Sequence, residues 1–278
     1  MGKYRLLKVG SDAELFIYNK EGPFPICGLI GGTKQDPLPV MEGNGYAVQE
    51  DNVLLEFNIP PASSALEFQT SITKMLSFLS EEMQKKGFNC KYASYSIFPK
   101  KLLAQNPQSY SFGCEPDYCV WTKTVNRSPE NLDISHSEEF RAAGYHIHVS
   151  YLVDEKDPAL EDKELFVKAQ DLFLGIPSTL LDSSIIRRHF YGSAGCFRPK
   201  LYGHEYRVLG GKILGAPAAV QQWVFLQNQV AIDFLNNKEN AENVLNEWSA
   251  PIRGTIQGGH QKNALEIMRE FRISLPPS

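Results

Sequence analysis

The sequence has no long hydrophobic run and no block of basic residues. None of its 278 residues lies in a stretch approaching the ~20 apolar residues that a membrane-spanning helix needs. The first ten residues lack the apolar segment of a signal peptide, and Leu6 breaks the N-myristoylation pattern. Lys and Arg number 28 against 32 Asp and Glu, for a net charge of -4, without the basic cluster typical of nucleic-acid binders. We therefore expect neither a membrane nor a nucleic acid as a direct partner.

Cysteines are few and scattered, and no two of them have C-x-x-C spacing. The five are Cys27, Cys90, Cys114, Cys119 and Cys196. This pattern predicts reduced thiols in a cytoplasmic protein, with neither a disulfide framework nor a zinc knuckle. The composition, 42% hydrophobic and 22% charged, is ordinary for a globular protein, and the chain lacks internal repeats and low-complexity linkers. We expect one domain over residues 1–278.

Strand and helix signals are interspersed along the chain. β-branched and aromatic residues predict strands over residues 4–9, 13–18, 53–58, 90–97, 118–122, 145–151 and 205–209. A capping box at Ser64 and Glu67 opens a helix that Gly87 ends, and further helices are predicted over residues 163–173, 217–235 and 263–271. Several strands follow one another too closely for helical crossovers. We therefore expect an α+β fold, a mostly antiparallel sheet with helices on one face, and an exposed loop over residues 122–137.

Polar residues inside four apolar strands point to function, because buried polar groups are costly without partners. In each strand two of them alternate with apolar neighbours, so both share one face of the strand. The pairs are Asp12 and Glu14, Glu56 and Asn58, His146 and His148, and Glu205 and Arg207. Charges gathered on one sheet face repel unless cations or phosphates lie between them. Together the four pairs predict a metal–phosphate site.

Each pair also has a structural interpretation. An alternating E-x-N or E-x-R strand is usually the solvated side of a half-exposed sheet. An H-x-H pair is more often two surface or hydrogen-bonded histidines than a metal site. The solvated-face interpretation weakens when four strands share the pattern. Carboxylates with one imidazole suit Mg²⁺ or Mn²⁺, whereas a His-rich, Cys-poor site suits Zn²⁺, and a nearby arginine would neutralise charge on a transferred phosphoryl group.

The segments that carry these residues resemble glutamine synthetase. Residues 144–150, G-Y-H-I-H-V-S, resemble its G-M-H-x-H-x-S strand. Residues 10–16, G-S-D-A-E-L-F, resemble its first E-x-E-x-F strand, and residues 204–207, H-E-Y-R, resemble its late E-x-R strand. The order along the chain is the same. A closer resemblance is to the phage-type carboxylate–amine ligases, the type-two amidoligase family of that superfamily. It extends over about residues 8–211, through segments 28–34, 56–62, 113–118 and 195–209, and implies a glutamine synthetase-like catalytic fold.

The resemblance implies an enzyme that uses ATP and two or three Mg²⁺ ions, with Mn²⁺ as an alternative. Glu14 and Glu56 would bind one ion. Asp12, His146 and Glu205 would bind the ion that bridges the ATP phosphates. Asp12 stands where the family has glutamate and is one methylene shorter.

Three further residues receive catalytic and ATP-binding roles from the resemblance. His148 would face phosphate or substrate, and Arg207 together with Arg198 would stabilise the γ-phosphoryl group. The third carboxylate of the first metal site stays open, because Glu50 and Asp51 are candidates by sequence position alone.

The implied reaction is ATP-dependent amide formation. The acid attacks the γ-phosphoryl group to give an acyl phosphate and ADP, and an amine then displaces phosphate. The partners would be small-molecule or peptide carboxylates and amines, in the cytoplasm (that of the host if the protein is phage-encoded), and an oligomer is compatible with the resemblance. Two alternatives stay open. A divalent-metal hydrolase would use the same H-x-H and carboxylates without ATP, and a non-catalytic binding protein would retain only the fold.

Three weaker signals have competing interpretations. Residues 28–34, G-L-I-G-G-T-K, lack P-loop spacing and predict a glycine turn joining two strands, from which Lys34 would be able to reach a substrate carboxylate or phosphate. Glu115 and Asp117 either bind the amine or lie on a solvated strand face. Arg187 and Arg188 end a helix-like run, where cations favour the helix dipole. For them a structural role is the stronger interpretation and a phosphate contact the weaker one.

Overall fold

A 16-residue strand, β1 (Tyr4–Asn19), forms the centre of the main sheet. The computed structural model describes residues 3–41, 45–110, 117–126 and 138–277. In it β1 pairs antiparallel with β5 (Leu54–Ala62) on one side and with β11 (Tyr145–Val153) on the other. The sequence predicts two strands here, but Gly10 and Ser11 between them stay in the ladder opposite His148 and Ile147. One uninterrupted strand therefore carries both of the predicted acidic residues.

Eleven of the strands in the described ranges form this sheet, in the order β3-β4-β5-β1-β11-β13-β12-β8-β9, with β2 and β6 pairing with the distal part of β1. Every strand pair in it is antiparallel. A separate pair joins β7 to β10. The remaining strands are β2 (Gly22–Phe24), β3 (Leu38–Pro39), β4 (Ala47–Asp51), β6 (Asn89–Lys91), β7 (Tyr95–Ile97), β8 (Asp117–Cys119), β9 (Thr124–Asn126), β10 (Phe140–Ala142), β12 (Cys196–Lys200) and β13 (Gly203–Tyr206).

Helices follow the strands, most of them in the second half of the chain. They are α1 (Ala65–Lys85), α2 (Lys100–Ala104), α3 (Leu160–Gln170), α4 (Ile176–Leu181), α5 (Ile185–Phe190), α6 (Ala219–Phe234), α7 (Lys238–Glu247), α8 (Ser249–Gly258) and α9 (Gln261–Glu270). A π-helical turn (Asp171–Gly175) joins α3 to α4, and 3₁₀ turns lie at Pro107–Tyr110 and Gly211–Gly215. Ser64 caps α1 as predicted, since its hydroxyl accepts a hydrogen bond from the Glu67 amide, but the Glu67 carboxylate accepts from the Ser63 amide rather than from that of Ser64.

The main hydrophobic core lies between the sheet and the long helices. Leu15 of β1, Phe57 of β5 and Ile147 of β11 are fully buried and belong to one cluster with Ile72 and Met75 of α1. Because side chains alternate along a strand, Asp12, Glu14, Glu56 and the two histidines project from the opposite face. The prediction of a mostly antiparallel sheet with helices on one face is confirmed.

One short helix departs from this layering. Phe16 and Leu54 lie on the same face of β1 and β5 as the acidic residues, and they pack with Phe98 and with Leu103 of α2 in a second, smaller hydrophobic cluster. This cluster lies on the face of the sheet away from the long helices. Helix α2 was not predicted from the sequence.

Several predicted boundaries differ from the observed ones. Residues 90–97 form two strands in different sheets, β6 and β7, because the chain bends at Ser94, whose hydroxyl donates to Asp182. The last predicted strand, residues 205–209, stops at Tyr206, and the carbonyls of Val208 and Leu209 beyond it accept hydrogen bonds from Arg187. Strands β4, β9, β10 and β12 and helices α4, α7 and α8 were not predicted either.

Two predicted absences can be compared with the described residues. Cys27, Cys90, Cys119 and Cys196 form no disulfide with one another, while Cys114 lies outside the described residues. No helix in the described ranges is long and apolar enough to cross a membrane. The predicted loop over residues 122–137 lies largely outside the described residues, and the single-domain prediction stays a prediction.

Candidate functional site

Strand register brings the predicted polar residues together on one face of the sheet. On β1, Glu14 lies opposite Glu56 of β5, and Asp12 lies opposite His146 of β11. The ladder continues to β13, where Glu205 lies opposite His148. Four segments that are distant in sequence therefore supply one continuous row of carboxylates and imidazoles.

The first group in this row consists of three carboxylates, those of Glu14, Asp51 and Glu56. One ligand oxygen from each lies within 4.8 Å of the others. Burial and the Asp51 charge raise the pKa of Glu14 to about 8, although the Gly144 amide donates to it at 2.5 Å. Burial, Asp12 and Glu14 raise the pKa of Glu56 well above its usual range. Within the described ranges, no ion pair neutralises any of these three carboxylates.

Asp51 thus completes the carboxylate set that the resemblance left open. Its neighbour Glu50 has a different position, because its carboxylate accepts hydrogen bonds from the amides of Gly28, Ile30 and Gly31 at 2.9, 3.1 and 2.9 Å. Residues 28–34 accordingly form the predicted glycine turn between β2 and β3, with Glu50 as its anchor. Lys34 is exposed in this turn, and its role toward phosphate or carboxylate stays a prediction.

The second group centres on Asp12 and Glu205, with both histidines alongside. The carboxylate oxygens of Asp12 and Glu205 and a ring nitrogen of His148 lie within 4.8 Å of one another. Oδ1 of Asp12 is 3.2 Å from Nδ1 of His146 and 2.9 Å from Nε2 of His148, and His146 Nδ1 is 3.9 Å from Glu205. Either imidazole is therefore placed to complete a ligand set with the two carboxylates. The shorter side chain of Asp12 still reaches the site.

The two imidazoles differ in electrostatic environment. Burial and the neighbouring Arg207 lower the pKa of His146 to about 4, which keeps this ring neutral, the form that binds cations. Burial also opposes charge on His148, but the Asp12 carboxylate outweighs it and raises the His148 pKa. Burial would raise the pKa of Asp12, yet the two histidines hold it well below its usual range.

Cations surround Glu205. Its carboxylate contacts Arg207 and lies 3.2 Å from both Arg198 and Lys200. Arg207 is also paired with Asp117, 2.5 Å from its Nε, and its side chain is only 4% exposed. The side chains of Arg198 and Lys200 are 15% and 31% exposed, so they are the more accessible cations. Lys200 lies in a segment of the resemblance, but sequence reasoning assigned it no role.

Asp117, Arg187 and Arg188, three residues of the weaker predictions, are all buried. Asp117 is buried, so the solvated-face interpretation is wrong for it, while Glu115 lies outside the described residues. The Arg187 guanidinium donates to the carbonyls of Ala143, Val208 and Leu209 at 2.8–3.0 Å. The buried Arg188 donates to the carbonyls of Ser184 and Asp182. The structural interpretation of the two arginines is confirmed.

Two tyrosines complete the site, and sequence reasoning missed both. The Tyr191 hydroxyl lies 2.8 Å from Nε2 of His146, and the Tyr202 hydroxyl lies 2.7 Å from Nδ1 of His148. Tyr202 follows Lys200 closely in the turn between β12 and β13, so the E-x-R strand gave an indirect signal for it. Tyr191 follows α5 and carries no sequence signal that links it to the H-x-H strand.

The donor sets indicate which ions the two groups suit. The three carboxylates repel one another, as the raised pKa values of Glu14 and Glu56 reflect, and a hard divalent cation with oxygen ligands relieves that repulsion. The second group balances Asp12, Glu205 and Asp117 against Arg198, Lys200 and Arg207. A divalent cation added there brings excess positive charge, which suits a polyanion bound beside it.

The sequence matches no protein-family model and no curated protein. Among solved structures, it is similar to GmaS without ligand, at 11% identity and a TM-score of 0.35, over 97% of this chain and 70% of that one. A GmaS–ADP complex aligns at 10% identity and a TM-score of 0.36, over 96% of this chain and 69% of that one. ADP in that complex is a ligand of GmaS, and at so low a similarity its binding carries nothing over to this chain.

Proposed function

We propose that the protein is an ATP- and Mg²⁺-dependent carboxylate–amine ligase that activates an acid as its acyl phosphate. The observation that carries the proposal is that the row of site residues has an acidic group at one end and a cation-rich group at the other. Glu14, Asp51 and Glu56, which form no ion pair with any described residue, lie beside a group in which cations surround Glu205. Phosphoryl transfer needs both parts, a metal site and cations that stabilise phosphoryl oxygens. The ordered sequence resemblance selects the ligase among phosphoryl-transfer enzymes.

In this proposal Glu14, Asp51 and Glu56 hold one Mg²⁺, and Asp12 and Glu205 hold a second with one imidazole. When bound, the ions would neutralise the negative charges of the triphosphate and of the acid. The accessible cations Arg198 and Lys200 bind phosphate oxygens. Arg207, fixed by Asp117 and Glu205, donates to the γ-phosphoryl group, and His148, whose pKa the Asp12 carboxylate raises, faces the same phosphate. The acid oxygen attacks the γ-phosphorus, ADP leaves, and the amine then displaces phosphate.

The hydrolase alternative explains the carboxylates but not the cations. A metal-activated water needs a divalent ion and an open ligand position, whereas three cations around one buried carboxylate fit a polyphosphate. The two functions differ in nucleotide dependence. A hydrolase turns over without ATP, and a ligase releases ADP only with an acid present.

Hydroxylamine tests the proposal without knowledge of the natural amine. It traps acyl phosphates as hydroxamates, so the protein should form a hydroxamate from at least one member of a panel of carboxylic acids, in the presence of Mg·ATP. ADP release should match hydroxamate formation one to one. ATP-independent hydrolysis by the same preparation would favour the hydrolase, and Mg·ATP binding without turnover over the whole panel would favour a non-catalytic protein.

Glu56→Gln is the sharpest variant for this test. Because the Glu56 pKa is raised by burial and by like charges, an amide should leave the metal-free protein as stable as wild type, or more stable. Turnover should fall by at least 100-fold, and the thermal stabilisation by Mg²⁺ should shrink. Melting temperature with and without Mg²⁺, measured beside ADP release, checks this. Glu266→Gln, on the exposed side of α9, is the matched control, and near-normal ADP release from Glu56→Gln would remove Glu56 from the metal site.

A further inference from the structure

Tyr191 contacts two groups of the candidate site that come from different strands. Its hydroxyl lies 2.8 Å from Nε2 of His146 on β11. Its ring face lies under the guanidinium of Arg207, whose Cζ is 5.0 Å from the ring centroid. A single side chain thus joins a candidate metal ligand to the candidate phosphoryl-binding arginine.

The hydroxyl is suited to His146 whichever nitrogen carries the proton. Nδ1 of His146 lies 3.2 Å from Oδ1 of Asp12, so a proton on Nδ1 faces that carboxylate and leaves Nε2 to accept a hydrogen bond from Tyr191. If Nδ1 instead faces a cation, the ring proton moves to Nε2. The same hydroxyl then accepts a hydrogen bond from Nε2–H, because a phenol is both donor and acceptor. A metal-binding histidine is normally oriented by such a partner on its other nitrogen.

The imidazole is also fixed by the backbone beside it. A side chain at Gly144 would overlap the His146 ring at Nε2, so the ring packs directly on this glycine. His146 is 3% exposed, and its ring therefore keeps the orientation that the hydroxyl sets.

A second arginine, Arg187, also packs on the ring of Tyr191. The Arg187 guanidinium lies 5.2 Å from its centroid and is itself fixed by hydrogen bonds to the carbonyls of Ala143, Val208 and Leu209. Gly192, at φ +71, allows the chain to turn next to Arg187 where a Cβ would collide. Both arginines gain from the aromatic face, so Tyr191 cannot move without disturbing the strand ends that carry Arg207.

We propose that Tyr191 is a positioning residue with two separable functions, in which its hydroxyl orients His146 toward the metal and its ring orients Arg207 toward the phosphoryl group. The inference rests on the proposed ligase function. Tyr191→Phe removes the first function and keeps the second, whereas Tyr191→Leu removes both.

Mn²⁺ binding followed by electron paramagnetic resonance measures the first function. In wild type we expect one Mn²⁺ site at each of the two groups of ligands. Tyr191→Phe should weaken the site of Asp12 and Glu205 by 10- to 100-fold, the effect of losing a metal-ligand's hydrogen-bond partner, and leave the site of Glu14, Asp51 and Glu56 unchanged. Tyr46→Phe, which removes another partly buried hydroxyl hydrogen bond, to Ser71, should change neither.

Turnover at saturating Mn·ATP measures the second function. Tyr191→Phe should stay within about 3-fold of wild type, and Tyr191→Leu should fall at least 10-fold further. ¹⁵N-histidine spectra of the metal-free protein give a readout that does not depend on the proposed activity. The Nε2 signal of His146 should shift in Tyr191→Phe, because that nitrogen loses its hydrogen bond to the hydroxyl, while the tautomer that Asp12 favours stays the same.

The outcomes separate the two proposals. If wild type binds no Mn²⁺ at the second group, the ligase function and this inference both fall. If wild type binds Mn²⁺ and turns over, but Tyr191→Phe keeps its affinity and its His146 Nε2 signal, only the inference is overturned. Equal turnover of the Phe and Leu variants would overturn the role of the ring.

Discussion

Arg207 is buried between two carboxylates, Asp117 and Glu205. This pairing is also what a purely structural role requires, so the contacts alone do not distinguish strand-stabilising arginine from phosphoryl-binding arginine. The distinction lies in what the guanidinium does that an ammonium does not. It donates two parallel hydrogen bonds to oxygens in one plane, and a lysine acts as a point charge.

We expect Arg207→Lys to lose most of its ligase turnover although the charge is kept. The loss of one preorganised donor to a developing oxyanion costs roughly 2–4 kcal/mol, about 30- to 1,000-fold in turnover. Affinity for ATP should change little, because the interaction strengthens only in the transition state. ADP release per folded molecule and the melting temperature are measured on the same variant. Full turnover with a lowered melting temperature would assign Arg207 a structural role.

His146 and His148 give the second test at the residue scale. Both approach the same oxygen of Asp12, but burial keeps His146 neutral while Asp12 favours the imidazolium of His148. We expect His146→Ala to raise the Mg²⁺ or Mn²⁺ concentration needed for activity about 10- to 100-fold. His148→Ala should mainly lower turnover or weaken substrate binding. Titration of ADP release with Mg²⁺ or Mn²⁺ measures both effects. The reverse pattern would exchange the roles of the two histidines.

At the scale of elements, β11 depends on the glycine that precedes it. The Gly144 amide donates to Glu14, and its Cα packs on the His146 imidazole. One residue at the entry of the strand therefore touches both the three-carboxylate group and the group around Asp12.

We expect Gly144→Ala to displace the His146 ring from Asp12 and Tyr191. Overpacking of this kind costs about 1–3 kcal/mol of folding stability, and Mn²⁺ affinity should fall with it. Gly254→Ala is the control, because a Cβ at that position in α8 meets no atom within 4 Å and alanine favours a helix. Urea unfolding of both variants measures the difference. A Gly144→Ala protein as stable as wild type, with unchanged Mn²⁺ binding, would contradict the role of this contact.

At the scale of the whole molecule, Asp171 ties the helical layer to the sheet. It begins the π-helical turn after α3, and its carboxylate accepts hydrogen bonds from Tyr206 of β13 at 2.7 Å and from Trp121, which follows β8, at 2.6 Å. Burial raises the pKa of Asp171 to about 7, although both donors oppose that rise. The folded protein therefore binds this proton more tightly than the unfolded chain does.

The sign of the resulting pH dependence follows from linkage. The contribution of Asp171 to stability is complete below about pH 4, the usual pKa of aspartate, and is lost as the pH rises toward 7. The loss is at most roughly 4 kcal/mol, from three pKa units. Asp171→Asn does not titrate, so its free energy of unfolding should fall less than that of wild type between pH 4 and pH 8. Urea unfolding across this range measures it, and parallel profiles would exclude the raised pKa.

The sequence by itself determined the pattern of polar residues and the identity of most of the site. Alternation within single strands predicts which side chains share a face, a property of extended backbone that needs no tertiary information. For that reason Asp12, Glu14, Glu56, His146, His148 and Glu205 were all predicted as site residues, and all six lie in the observed row. The antiparallel sheet and the helix that follows Ser64 were predicted from equally local signals.

Only the tertiary structure decided which residues from different strands meet. Asp51 rather than Glu50 joins Glu14, because the register of β4 on β5 turns one side chain to the site and leaves its neighbour to anchor the glycine turn. Lys200 contacts Glu205 through the register of the β12–β13 hairpin, and Tyr191 reaches His146 from the end of a helix. Such contacts depend on strand register and helix placement, which long-range packing sets and no local pattern encodes.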